Sequence, residues 1–96
     1  MNTGSNDAKG LINQARQWEE AKEYDRAVEC YLRVNKSNAD SIKTMATAWS
    51  KAAELAIKFL DSDKAIDVAT IAGPLLVEVG AHNAVAQLYM GVEMIK

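Results

Sequence analysis

Apolar residues recur at spacings of three and four along almost the whole chain, beginning at Leu11. Residues three and four apart lie on one face of an α-helix, which has 3.6 residues per turn. One proline and five glycines are too few to break this pattern often. The pattern predicts five helices separated by polar segments, at residues 11–21, 25–34, about 40–60, about 63–79 and 82–96.

The segments between these helices are short, so consecutive helices must lie antiparallel. The predicted fold is therefore all-α and consists of antiparallel helix-turn-helix repeats, as in a fragment of an α-solenoid. We expect a disordered lead at residues 1–10, a first unit at 11–34, a second unit at 40–79 and an extra helix at 82–96. Pro74 is expected to kink or restart the fourth helix, because it has no N–H to donate.

The apolar stripe of the fifth helix reaches the end of the sequence at Lys96 without a stop signal. We therefore expect this helix to continue into a longer protein, where a further helix would cover its outer side. The stripe consists of Val85, Leu88, Tyr89, Val92 and Ile95.

Composition excludes several classes of function. The net charge of −2 leaves no basic patch for a nucleic-acid backbone. The single cysteine, Cys30, cannot close an internal disulfide, which indicates a reducing compartment. No signal peptide is evident, and no apolar run approaches the roughly 20 residues of a membrane span. We predict no nucleic-acid partner and no membrane span.

The sequence also lacks a recognisable catalytic or metal-binding constellation. His82 is the only histidine, so no second histidine can complete a metal site or a catalytic pair. Cys30 has no histidine near it in sequence, which favours a packed side chain over a nucleophile. No GxGxxG, P-loop, GxSxG or HExxH motif occurs. We predict that the chain is not an enzyme and binds no cofactor, metal or small-molecule ligand.

An internal repeat supports the helical-repeat interpretation. The segment "DRAVE", which begins at Asp25, returns as "DKAID" at Asp63, a shift of 38 positions. The stretch "ARQWEEAKEYDRAVECYLRV" resembles a tetratricopeptide helix-turn-helix, whose repeats run at about 34 residues. This resemblance implies that small and aromatic residues alternate where two helices cross. In this chain they are Ala15, Trp18, Tyr24, Ala27 and Tyr31.

The chain departs from the tetratricopeptide pattern in three places. The proline that usually closes a repeat is replaced by Ala39, and the second unit has Ala56 and Ala69 where aromatic residues are expected. The resemblance is therefore strongest over residues 11–34, and it implies a tetratricopeptide-like α-solenoid fragment.

A second resemblance covers residues 11–96. The segments "WEEAKEYDRAVECYLRV", "WSKAAELAIKFL" and "AGPLLVEVGAHNAVAQLYMGVEMIK" are similar to consecutive parts of the C-terminal helical-repeat region of the largest-subunit family of intraflagellar transport complex B. This resemblance implies a scaffold segment that supports cilium assembly and transport-train architecture, with other transport-train subunits as partners. It implies a location in the cilium or flagellum and the basal body, on the cytoplasmic side. The alternative is a peptide-binding helical-repeat module of another trafficking or vesicle-coat complex.

The tetratricopeptide resemblance also implies a partner surface, because the first helix of each pair lines a concave face in such arrays. A clamp for a peptide carboxylate is not expected, since Ile12 and Arg16 replace residues that such clamps require. The face is predicted to be mixed in charge, and it could equally serve only to continue the solenoid. The candidate residues are Ile12, Arg16, Glu19, Glu20, Glu54, Ile57 and Lys58.

Overall fold

The computed structural model describes residues 7–95, with the backbone alone at Ile95. These residues form five α-helices and no strand, which confirms the all-α prediction. Most predicted boundaries differ from the observed ones by a residue or two. The helices are α1 (Ala8–Glu20), α2 (Tyr24–Leu32), α3 (Ile42–Phe59), α4 (Ser62–Glu78) and α5 (His82–Ile95).

Three helices begin at a side-chain cap, as their sequences favour. Asp7, Ser41 and Asp61 each accept a hydrogen bond from the backbone N–H three residues later, at 2.9, 3.2 and 2.9 Å. Such caps satisfy backbone donors that the first helical turn leaves unpaired.

Helix α1 begins three residues earlier than predicted. The cap at Asp7 is one reason, and the other is a hydrogen bond of 3.0 Å from the Ala8 N–H to the Asn38 carbonyl. The expected disordered lead is therefore wrong for residues 7–10, which form the cap and first turn of α1. The rest of that lead, residues 1–6, lies outside the described residues.

Two helices end in the same backbone motif, although only one of them has a glycine there. Gly80 follows α4 with φ of +75°, and Lys22 follows α1 with φ of +65°. Each of these residues and the residue after it donate the two backbone hydrogen bonds of a Schellman motif. At the end of α1, the Lys22 N–H donates to the Glu19 carbonyl and the Glu23 N–H donates to the Trp18 carbonyl. Lysine is an unusual residue in this left-handed conformation, because its Cβ crowds the backbone.

Helix α4 continues through Pro74, so the predicted restart does not occur. Proline removes the hydrogen bond to the carbonyl four residues earlier, here that of Thr70. Both residues are exposed, so water can satisfy this carbonyl. The Thr70 hydroxyl bonds in turn to the Ile66 carbonyl at 2.8 Å.

The helices pack in two layers with α3 at the centre. Each helix contacts its neighbours in sequence, and α3 also contacts α1 and α5. The odd-numbered helices therefore form one layer and the even-numbered helices the other. Alanines supply much of the core, which lets the helix axes approach closely. The completely buried alanines are Ala15, Ala27, Ala48, Ala52, Ala56 and Ala72.

The loop between α2 and α3 is ordered by its own asparagines. The side-chain amides of Asn35 and Asn38 both donate to the Arg33 carbonyl, at 3.2 and 3.0 Å. The buried indole of Trp49 donates to the Val34 carbonyl at 2.8 Å. This bond attaches the loop to α3.

Candidate partner-binding groove

A groove runs between the odd-numbered helices and has a volume of about 870 Å³. Because α1, α3 and α5 run in the same direction, corresponding parts of their exposed faces lie side by side along it. We call it the main groove. Its lining consists of Ile12, Arg16, Glu19, Glu20, Tyr31, Lys43, Ala46, Thr47, Ser50, Lys51, Glu54 and Gly80 to Ala84.

A smaller pocket of about 260 Å³ adjoins the main groove between α3 and α5. We call it the seam pocket. The two cavities share Ser50, Glu54 and Ala84. The full lining of the seam pocket is Ser50, Ala53, Glu54, Ile57, Lys58, Ala84, Gln87, Leu88 and Gly91.

The two cavities bring together all seven residues of the predicted partner surface. The four residues from α1 and Glu54 line the main groove, and Ile57 and Lys58 line the seam pocket. Their role in binding a partner stays a prediction.

A network of one hydrogen bond and one ion pair crosses the floor of the main groove. The phenol of Tyr31, on α2, donates to one carboxylate oxygen of Glu19, on α1. The other oxygen of Glu19 lies 3.7 Å from the Lys51 ammonium, on α3. Burial raises the pKa of Tyr31 well above its ordinary value, and the hydrogen bond to Glu19 raises it further. The network therefore joins three helices beneath the groove.

The other charges along the two cavities are only loosely paired. Glu54 and Lys58 form an ion pair of 3.2 Å one turn apart on α3, with both side chains about half exposed. Such exposed pairs contribute little to stability. The Glu20 side chain forms no hydrogen bond or ion pair with any residue between 7 and 95.

The five residues predicted to pack α1 against α2 occupy different environments. Ala15 and Ala27 are completely buried, and Tyr31 is 3% exposed. Trp18 is only half-buried, and its ring lies 5.0 Å from the Arg26 guanidinium carbon. Tyr24 is also half-buried.

Tyr24 makes a contact that the sequence did not predict. Its ring stacks on that of Phe59 with the centroids 3.9 Å apart. The contact joins the start of α2 to the end of α3, and Phe59 is half exposed.

Two chemically suggestive residues, Cys30 and His82, belong to no cluster of metal-ligating side chains among residues 7–95. Cys30 is buried, and this burial raises the pKa of its thiol above the ordinary value, which disfavours the reactive thiolate. His82 is exposed at the start of α5, where it lines the main groove. Among residues 7–95, no three metal-ligating side chains come together. Across the same residues, every helix is too short or too polar to span a bilayer.

Sequence reasoning missed part of the lining of the main groove. Ser50 lies 38 residues after Ile12, so the internal repeat could have identified it. Lys43 and Lys51 carry no comparable signal, because their positions in the groove depend on how the helices pack. The contribution of His82 and the turn before it depends likewise on the position of α5 beside α3.

The chain is similar to curated proteins named "Intraflagellar transport protein 172 homolog". It is 45% identical to the Mus musculus protein over 93 residues, or 97% of the chain, and 48% identical to the Danio rerio protein over 88 residues, or 92% of the chain. It is 30% identical over 91 residues, or 95% of the chain, to "Intraflagellar transport protein 172" of Chlamydomonas reinhardtii. The chain spans only 5% of the length of each of these relatives. No family profile and no solved structure matches it.

Proposed function

We infer that this chain belongs to the intraflagellar transport protein 172 family, and we propose that it is a non-catalytic scaffold segment of such a subunit. The observation that carries this proposal is the 45% identity to the Mus musculus relative over 97% of the chain. The segment would support cilium assembly and the architecture of the transport train. Its location would be the cilium or flagellum and the basal body, on the cytoplasmic side.

We propose further that the helices are tetratricopeptide-like repeats. The first unit comprises residues 11–34 and the second 40–79, and the extra helix at 82–96 continues the array in the full-length protein. The complete burial of Ala15 and Ala27, at the small-residue positions of unit one, supports this interpretation. The short loops and the two-layer packing of α1 to α5 support it as well.

The proposed partners are other proteins of the transport train, with no nucleic acid, membrane span or small-molecule ligand involved. The main groove and the seam pocket are the proposed contact surface. The clustering of charged residues such as Arg16 and Glu54 with apolar side chains such as Ile57 on one face supports this proposal. Mixed charge and open shape suit a protein partner better than a small substrate.

To test the proposal, the 96-residue chain is immobilised and used to capture proteins from an extract of ciliated cells, and the captured proteins are identified. We expect recovery of other intraflagellar transport subunits. The matched variants are Glu20→Lys with Glu54→Lys in the main groove, and Asp67→Lys with Glu78→Lys on exposed parts of α4 outside both cavities. Both double variants change the net charge equally. Recovery of vesicle-coat proteins without transport subunits would overturn the proposal in favour of another trafficking complex.

A further inference from the structure

Helix α5 carries the same pattern of buried positions as α3, shifted by 36 residues. Every buried residue of α3 has a counterpart 36 positions later that is buried or half-buried, except Tyr89. All other α5 residues with a described side chain are exposed. The buried residues of α3 are Met45, Ala48, Trp49, Ala52, Ala53, Leu55 and Ala56, and their counterparts are Ala81, Ala84, Val85, Leu88, Tyr89, Gly91 and Val92.

Tyr89 is exposed although its counterpart in α3 is buried. Tyr89 is 53% exposed, whereas Ala53 is 4% exposed. Ala53 is covered from the side of the next helix in its layer, since it lines the seam pocket together with Leu88 and Gly91 of α5. Among residues 7–95, no further odd-numbered helix follows α5 to cover Tyr89 in the same way.

Tyr89 belongs to an apolar edge of α5. Val85 lies four residues before it and Val92 three residues after it, on the same face of the helix, and both are half-buried. We call these three residues the outer edge. The Tyr89 ring lies over α4, where a Cβ added at the buried Gly73 would be 3.3 Å from the Tyr89 hydroxyl. Glycine therefore makes room for the ring on α4, while about half of Tyr89 stays exposed.

The neighbouring seam, between α3 and α5, pairs a large side chain with a small residue. A Cβ added at Gly91 would lie 2.7 Å from the Ile57 Cδ1, so Ile57 occupies the space that a larger residue at this position would take. Large residues on both helices would hold the helix axes apart, whereas a small residue opposite a large one fills the interface at native density.

We propose that the outer edge of α5 is the packing surface for the helical segment that follows α5 in the full-length protein, and that this segment places glycine, alanine or serine against Tyr89. The equivalence with α3 supports this occupant, because the next helix of the layer covers the same position there. The relatives are long enough to supply it, since the chain spans 5% of their length. This inference rests on the proposed function and identifies the surface at which the array continues.

Tyrosine nitration tests the coverage without any substitution. The 96-residue chain and the purified full-length protein are treated with tetranitromethane, and the nitration of each tyrosine is measured by peptide mass spectrometry. In the 96-residue chain Tyr89 should react fastest, because Tyr24 is half-buried and Tyr31 is 3% exposed. In the full-length protein the nitration of Tyr89 relative to Tyr24 should fall about fivefold to tenfold, as the exposed fraction of Tyr89 falls towards the 4% of Ala53. Tyr31 should stay unreactive in both proteins, which verifies their fold.

A photocrosslinker identifies what covers the outer edge. Benzoylphenylalanine replaces Tyr89 in the full-length protein, and the crosslinked peptides are sequenced. We expect crosslinks within one molecule to a helix in about the next 40 residues after residue 96, with a small residue at the crosslinked turn. The matched control places the same group at Ile71, which is 51% exposed on α4. Its counterpart 38 positions earlier, Arg33, is exposed although α3 and α4 follow it, so the control should not crosslink to that segment.

The inference is overturned if Tyr89 is nitrated equally in the two proteins. It is overturned equally if the crosslinks from position 89 lead to a second copy or to another subunit, or if the crosslinked turn carries a large residue. Transport subunits captured by the 96-residue chain in any of these cases would leave the proposed scaffold role intact, so the two failures can be told apart.

Discussion

Lys22 occupies a backbone conformation that suits glycine, so replacing it should stabilise the protein. Its φ of +65° lies in the left-handed region, where an L-residue other than glycine costs about 1–2 kcal/mol. Glycine loses more chain entropy on folding, by about 0.5–1 kcal/mol, which offsets part of that gain. Lys22→Gly should therefore raise the free energy of unfolding by about 0.5–1 kcal/mol.

The side chain of Lys22 contributes little that would be lost. It is exposed, and it forms no hydrogen bond or ion pair with residues 7–95. Its charge near the end of α1 contributes a few tenths of a kcal/mol at most when exposed. Lys22→Ala removes this charge but keeps the strain, and it is therefore the matched control.

The measurement is thermal and urea denaturation followed by far-UV circular dichroism. At about 4–8 °C per kcal/mol for a domain of this size, Lys22→Gly should melt about 2–8 °C higher than Lys22→Ala. Gly80→Ala should have the opposite effect and lower stability by about 1 kcal/mol, because Gly80 has φ of +75°. An added Cβ at Gly80 meets no atom within 4 Å, so the loss would come from the backbone alone. If Lys22→Gly melts no higher than Lys22→Ala, the left-handed assignment of Lys22 is wrong.

Four further predictions concern the packing between the helices. Ala27→Leu should lower the free energy of unfolding by about 1–3 kcal/mol, because the completely buried position would be overpacked. Trp18→Ala should lower it by about 1–3 kcal/mol rather than by the larger loss of a fully buried tryptophan, because Trp18 is only half-buried. Urea denaturation measures both losses, and an unchanged midpoint for Ala27→Leu would contradict the burial of Ala27. The pKa of Tyr31 is raised in the native state, so above about pH 10 the native state keeps a proton that the unfolded state loses. The free energy of unfolding should therefore fall as pH rises above about 10, and it should fall less in Tyr31→Phe. Equal slopes of this free energy against pH for the two proteins would refute the prediction. Trp49→Phe should cost about 2–3 kcal/mol in the same denaturation assay, since it leaves the buried Val34 carbonyl without its donor, and a loss below about 0.5 kcal/mol would contradict that role.

The helices could be predicted because their apolar spacing is local information. The start of α1 could be predicted only in part. Asp7 is a recognisable cap, but Ala8 is 3% exposed and bonds to the Asn38 carbonyl, about 30 residues away. No local pattern reveals such a contact. The continuity of α4 through Pro74 likewise depends on which face of the helix meets water, and that follows from packing.

The candidate surface was predictable where the internal repeat extends. Arg16 and Glu54 are 38 residues apart and both line the main groove, so the repeat indicated their shared face. Tyr31 was predicted as a packing residue. Its hydrogen bond to Glu19 beneath the groove could not be predicted, because it depends on how α1 and α2 are arranged in three dimensions. Helix α5 lies outside the detected repeat. Its residues, including His82, could not be assigned to the groove from sequence.

Contacts between helices that are adjacent in sequence have a consequence for how the chain folds. Most contacts between helices join neighbours in sequence, so the contact order of this chain is low. A low contact order permits folding in microseconds to milliseconds, because little loop-closure entropy is lost before native contacts form. The hydrogen bond between Tyr31 and Glu19 spans only 12 residues, and it joins α1 to α2 within that short loop. We expect the α1–α2 hairpin to act as the folding nucleus, with later helices adding to it one after another.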